Sequence, residues 1–130
     1  MADKNWLQTD DWKNEKHVPV IEAPDKVKKG EVFHVKVQVG KEISHPNTTA
    51  HHIKWMDLFF WPEGEKFPYE IGYMSFDAHG ASVKGADTST VYCDPYGVFA
   101  FKTDKPGKLM STSYCNIHGL WKHEKKIEVK

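Results

Sequence analysis

Glu31-Val32-Phe33-His34-Val35-Lys36-Val37-Gln38-Val39 is the stretch that sets the fold. Phe33, Val35, Val37 and Val39 lie on one side of an extended chain, and His34, Lys36 and Gln38 on the other. That period of two is what a half-buried strand requires, because successive side chains point to opposite faces of the pleat. Neighbouring segments continue the theme. Ile53–Trp61 is denser in apolar and aromatic residues, reads as a central strand, and is stopped by Pro62-Glu63-Gly64. Tyr69–Phe76, Gly97–Thr103, Lys108–Tyr114 and Lys125–Val129 are further strands, separated by Gly, Pro or Asp-Lys turns, and His17–Ile21 is a short additional one. No segment carries a helical period. Short strands joined by polar turns predict an all-β fold, an antiparallel β-sandwich of about seven strands.

The chain of 130 residues is read as a single domain, residues 1–130, long enough for one hydrophobic core. Its 18 basic residues balance 18 acidic ones, and every basic residue is a lysine. A neutral chain without arginine is poorly equipped to bind nucleic acid, where arginine forks do much of the reading. No apolar run approaches membrane-spanning length, and Met1 to Asp11 is too polar for a signal peptide, so the expected location is the cytoplasm. The two cysteines, Cys93 and Cys115, could pair in a secreted protein, but in that reducing compartment Cys115 is read as a thiolate ligand.

Chemistry concentrates in three places. Cys115-Asn116-Ile117-His118 offers a thiolate and an imidazole at a spacing that lets both reach one metal ion. Upstream lie Glu15-Lys16-His17 and the run His45-Pro46-Asn47-Thr48-Thr49-Ala50-His51-His52. Cys-x-x-His alone arises easily by chance; three such segments in one chain do not. Adjacent side chains at a strand start face opposite ways, so only one of His51 and His52 is expected to bind. His17, His45, His51, Cys115 and His118 would exceed tetrahedral zinc and leave one octahedral position free. Imidazole with thiolate suits iron, copper or zinc rather than calcium or magnesium. Cys93, in Tyr92-Cys93-Asp94-Pro95, has no histidine at ligand spacing and reads as a small structural residue, and His34, His79 and His123 as solvated or locally hydrogen-bonded. His79 to Tyr96 is rich in Gly, Ser and Thr, irregular, and carries no functional motif.

Glu15-Lys16-His17-Val18-Pro19, His45-Pro46 with His51-His52, and Ser113-Tyr114-Cys115-Asn116-Ile117-His118-Gly119 resemble the superoxide reductases of the neelaredoxin and desulfoferrodoxin family. The resemblance runs from about Asp11 to the carboxyl terminus, and no four-cysteine desulforedoxin segment is present, so the chain looks like the one-iron type. It implies an immunoglobulin-like sandwich and one mononuclear iron per chain. The equatorial ligands would be His17, His45, His51 and His118, and the axial ligand Cys115. It further implies that Glu15 occupies the sixth position in the ferric state only and that Lys16 acts on the substrate, superoxide. A rubredoxin or similar small electron carrier would be the donor, and a homotetramer the assembly. The aromatic content (Trp6, Trp12, Trp55, Trp61 and Trp121) is compatible with association.

Two other readings compete on the residues alone. A cupredoxin also uses a β-sandwich and a Cys…His loop, but blue copper usually needs a weak axial methionine, and none follows His118. A structural zinc module would close with one cysteine and three histidines, leaving Glu15-Lys16 without a role.

Overall fold

The structure is a computed structural model that describes residues 5–130. Eight strands follow in order: β1 (Pro19–Glu22), β2 (Lys26–Val27), β3 (Phe33–Val39), β4 (Ile53–Pro62), β5 (Tyr69–Ser75), β6 (Tyr96–Phe101), β7 (Gly107–Cys115) and β8 (Gly119–Val129). They form a three-stranded sheet, β1-β3-β6, and a five-stranded sheet, β2-β8-β7-β4-β5. The all-β sandwich expected from the alternating stretches is what forms. The opening stretch behaves as its period demands: Phe33, Val35, Val37 and Val39 are buried and His34 and Lys36 are exposed.

Two features escaped the pattern. The two-residue β2 is too short to show a period, and it pairs parallel with the end of β8 in an otherwise antiparallel sheet. β8 also begins at Gly119, earlier than Lys125, because Leu120–His123 (Leu-Trp-Lys-His) is half-buried on both faces and never alternates cleanly in polarity. Its register against β7 runs from Gly107↔Ile127 to Cys115↔Gly119.

Core and site are linked by parity on β7. Leu109, Ser111, Ser113 and Cys115 share its inner face and are fully buried. The two serines are small enough for β1 to lie close, and their hydroxyls tie it down: Ser111 Oγ donates to the Pro19 carbonyl (2.5 Å) and Ser113 Oγ to the His17 carbonyl (3.3 Å). On β4 a bulge between Ile53 and Trp55 lets Ile53 and Met56 both reach the core although they are an odd number of residues apart. None of the described residues forms a helix long and apolar enough to cross a membrane.

Candidate metal centre

All five expected donors converge at one end of the sandwich. Ligand atoms of His17, His45, His51 and Cys115 lie within 4.8 Å of one another. His118 joins them: its Nδ1 is 3.1 Å from His17 Nε2, 3.2 Å from His51 Nε2 and 3.8 Å from Cys115 Sγ. Two imidazole nitrogens bound at right angles to one ion at about 2.1 Å would be about 3.0 Å apart, so these separations suit neighbouring ligands.

The four rings make a near-square. Centroids are 4.8 Å apart for His17–His45, 4.7 Å for His45–His51, 5.0 Å for His51–His118 and 4.7 Å for His118–His17. The His17–His51 diagonal is 6.4 Å, close to the √2 ratio of a square. Four imidazoles in a square with a sulfur beside them is a five-donor arrangement, unlike tetrahedral zinc or trigonal blue copper.

Ring orientation says which nitrogen faces inward. His17 donates Nδ1–H to Glu15 Oε1 (2.6 Å), which leaves Nε2 for the centre. His45 donates Nδ1–H to the Pro46 carbonyl (2.7 Å), and its buried Nε2 has no hydrogen-bond partner. A buried nitrogen with no partner is costly unless something takes its lone pair, and a metal ion does. Burial lowers the proton affinity of His17 and His51 and pushes His45 down to about 4, with the neighbouring positive charges adding to the effect. Neutral imidazoles with free lone pairs are what metal ligation needs.

Each ligand has a local reason for its place. Cys115 is fully buried because it follows the inner parity of β7. Asn116, Ile117 and His118 form a three-residue hairpin loop, and Gly119 (φ +81°) supplies the left-handed residue that such loops require. The tight turn brings the His118 N–H onto Cys115 Sγ (3.3 Å), a hydrogen bond that holds the sulfur in one orientation. Asn116 ties this loop to the His51 segment: its Oδ1 accepts from His52 N (2.9 Å) and its Nδ2 donates to the Ala50 carbonyl (2.9 Å). Trp121, on the inner face of β8, stacks on His17 at 4.9 Å and 15° and donates Nε1–H to the His118 carbonyl (3.2 Å). Neither Asn116 nor Trp121 was singled out as a site residue from the sequence, since their roles depend on strand register.

The remaining candidates separate clearly. His52 turns away from the square and stacks on His79 at 3.7 Å, as the alternation argument required. His123 Nδ1 accepts from Ile21 N (3.0 Å), and burial lowers its proton affinity, which keeps that lone pair available. Cys93 and Cys115 are both free thiols, and Cys93 Sγ accepts a contact from Ala78 N (3.4 Å). Glu15 lies behind His17, on the side of the ring away from the other donors, and also accepts from His17 N (3.0 Å). Burial disfavours its charge, but the side-chain and backbone hydrogen bonds from His17 together hold its carboxyl below the usual range. Lys16 is half-buried, and its charge is felt at His17, His45 and His51, where it opposes protonation. Among the described residues it forms no ion pair within the salt-bridge distance.

Residues 9–124 match the desulfoferrodoxin family. A superoxide reductase from Pyrococcus furiosus is 57% identical over 122 residues, covering 94% of this chain and 96% of that one. Neelaredoxin from Megalodesulfovibrio gigas is 50% identical, covering 95% of each chain. Among solved structures, the reduced superoxide reductase (neelaredoxin) from Archaeoglobus fulgidus superposes with a TM-score of 0.89 at 60% identity, covering 95% of this chain and 99% of that one.

Proposed function

The chain belongs to the desulfoferrodoxin family, and we propose from that membership and from the five-donor cluster that it is a superoxide reductase using one mononuclear iron. The observation that carries the reading is the square of imidazoles beside a buried cysteine sulfur, with the orphaned His45 Nε2 directed at no protein partner. His17, His45, His51, His118 and Cys115 would hold the iron. Iron held there would supply the electron for the net reaction in which superoxide, one electron and two protons give hydrogen peroxide.

The chain's own residues supply the rest. Glu15 and the Pro46 carbonyl fix the tautomers of His17 and His45 and raise the basicity of both rings. The His118 N–H on Cys115 Sγ withdraws some charge from the thiolate and holds it in one orientation. Lys16 places a cation beside the cluster, where it can raise the encounter rate of a small anion by about 10-fold or more. In the oxidised state Glu15 would be an additional ligand to the iron, which would require it to leave His17. A rubredoxin-type carrier would supply the electron, and the expected location is the cytoplasm. We also propose a homotetramer. Its support is the outer face of the five-stranded sheet, where Trp55, Phe59 and Trp61 line up with Tyr73, Met110 and Tyr114 and Trp61 is 50% exposed.

Stoichiometry tests the function. Iron-loaded, reduced protein given limiting superoxide should yield one hydrogen peroxide per superoxide consumed and evolve no dioxygen. Half that yield with dioxygen released would make the protein a dismutase, and no reaction beyond the spontaneous rate would remove the activity altogether.

A further inference from the structure

His45 and His51 sit on the β3–β4 connection, residues 40–52, which has no regular structure. No backbone ladder fixes their positions. A second irregular segment, residues 76–93, contributes no donor to the cluster, yet it is fastened to this connection at three points, one just after His45 and two on either side of His51.

The first point is Asn47, two residues after His45. Its Nδ2 donates to the Cys93 carbonyl (2.6 Å), and its Oδ1 meets His79 Nδ1 (2.8 Å). The second is Thr49, two residues before His51. Its N–H donates to Asp87 Oδ1 (2.8 Å), and its Oγ1 accepts from Asp87 N (3.1 Å) and faces the His79 carbonyl (3.4 Å). The third is His52, next to His51, whose ring lies flat on His79 with 5° between planes.

His79 is built for this place. It is 8% exposed, and its Nε2 meets the Phe76 carbonyl (2.5 Å), so both ring nitrogens and one ring face are occupied. Asp87 adopts φ +57°, a left-handed conformation unusual outside glycine, and its carboxylate and amide together reach Thr49. Gly80 (φ +106°) makes room: a Cβ there would come within 3.0 Å of Asp87 Oδ1 and of the Tyr92 ring. A strained backbone and a closely fitted glycine would be unneeded in a loop that only joined β5 to β6.

We propose that residues 76–93 form a brace that sets where His45 and His51 present their donor atoms, with His79 and Asp87 as its positioning residues. The inference rests on the reading of His45 and His51 as metal ligands. Residues that orient ligands typically contribute about 10–100-fold to metal affinity. At the tip of the same segment the Val83 side chain is fully exposed, which provides an internal control.

The test compares wild type, His79→Ala, Asp87→Ala and Val83→Ala. Affinity for Fe2+ and for Co2+ is measured anaerobically by competition with a coloured chelator. The thiolate-to-metal band of the oxidised iron protein and the melting temperature of the metal-free protein are recorded alongside. His79→Ala and Asp87→Ala should each weaken binding of both metals by about 10-fold or more and displace the band, while Val83→Ala changes neither. Should His79→Ala not fold, Asp87→Ala decides, because Asp87 is exposed and contributes nothing to the core. If both variants lower only the melting temperature and leave affinity and band unchanged, the segment is ordinary loop packing and the brace is wrong. Wild-type protein that bound neither metal would instead sink the ligand reading, and the brace with it.

Discussion

The five donors divide into a strand-held half and a loop-held half. His17, Cys115 and His118 belong to the first. Cys115 ends β7, His118 lies in the hairpin that follows, and His17 is drawn onto β7 by the serine hydroxyls and covered by Trp121. Cys115 and His118 are placed by the β7–β8 ladder, and His17, just before β1, by the serines that dock its segment onto that ladder. His45 and His51 belong to the second half and are held by side chains: Asn47, Thr49, His52 and Asn116. The lesson is about vulnerability. A strand-held donor is lost only with the donor residue itself or with the fold, whereas a loop-held donor can be displaced by changing a residue that never touches the metal.

The largest contrast lies in the cysteines, one in each region. Cys115→Ser should abolish the visible absorption of the oxidised iron protein, because that band requires a thiolate on the metal. Cys93→Ser should leave it nearly unchanged, even though Cys93 lies within the brace. The group that anchors Asn47 there is the Cys93 backbone carbonyl, which serine retains, and the thiol only meets Ala78 N. Absorption spectra of the two variants at equal iron content settle the matter. Loss of the band in Cys93→Ser with retention in Cys115→Ser would overturn the assignment of the donor set.

The same division explains what was legible in the sequence. The strand-held half could be read from local rules. Period two placed Phe33 to Val39, and Lys108–Tyr114 was expected as a strand; that Cys115 follows its inner parity is seen in the structure. The hairpin at Asn116–His118 was not foreseen, since the following strand was expected only from Lys125. The loop-held half was visible only as histidines near Pro46, and the resemblance, not spacing, singled out His45 and His51 as the expected ligands. Its support was not visible at all, because the contacts of His79 and Asp87 join positions some 30 to 40 residues apart and follow no period. β2 was missed for a related reason, since its pairing partner lies at the far end of the chain.

A subtler difference separates the two histidines whose Nδ1–H is anchored. His45 gives its proton to a backbone carbonyl, which cannot leave, and His17 gives its proton to Glu15, which can. Glu15→Ala should therefore raise the reduction potential in two ways. His17 becomes less basic, and an anionic ligand favouring the ferric state is gone. Cyanide titration of the oxidised protein distinguishes them. If Glu15 takes the sixth position, the variant should bind cyanide at least about 10-fold more tightly, equivalent to about 1.4 kcal/mol. A raised potential with unchanged cyanide affinity would restrict Glu15 to supporting His17.

The smallest effect is expected at Lys16, which lies on the strand-held side next to His17 but makes no ion pair among the described residues. Lys16→Ala should keep its iron, its spectrum and its melting temperature, because nothing in either half of the donor set leans on the lysine side chain. What should change is the approach of the anion. Removing one cation beside the cluster should slow the reaction with superoxide, by about 10-fold at low ionic strength if that cation is well placed. The loss should shrink as salt is added, because at about 0.1 M the screening length is already about 10 Å and the wild-type advantage fades with it. Pulse radiolysis across a salt series measures both quantities. A rate deficit that did not depend on salt would point to proton delivery rather than steering. Identical rates and salt slopes in the two proteins would leave Lys16 a solvated neighbour and place the whole of the anion's attraction on the centre itself.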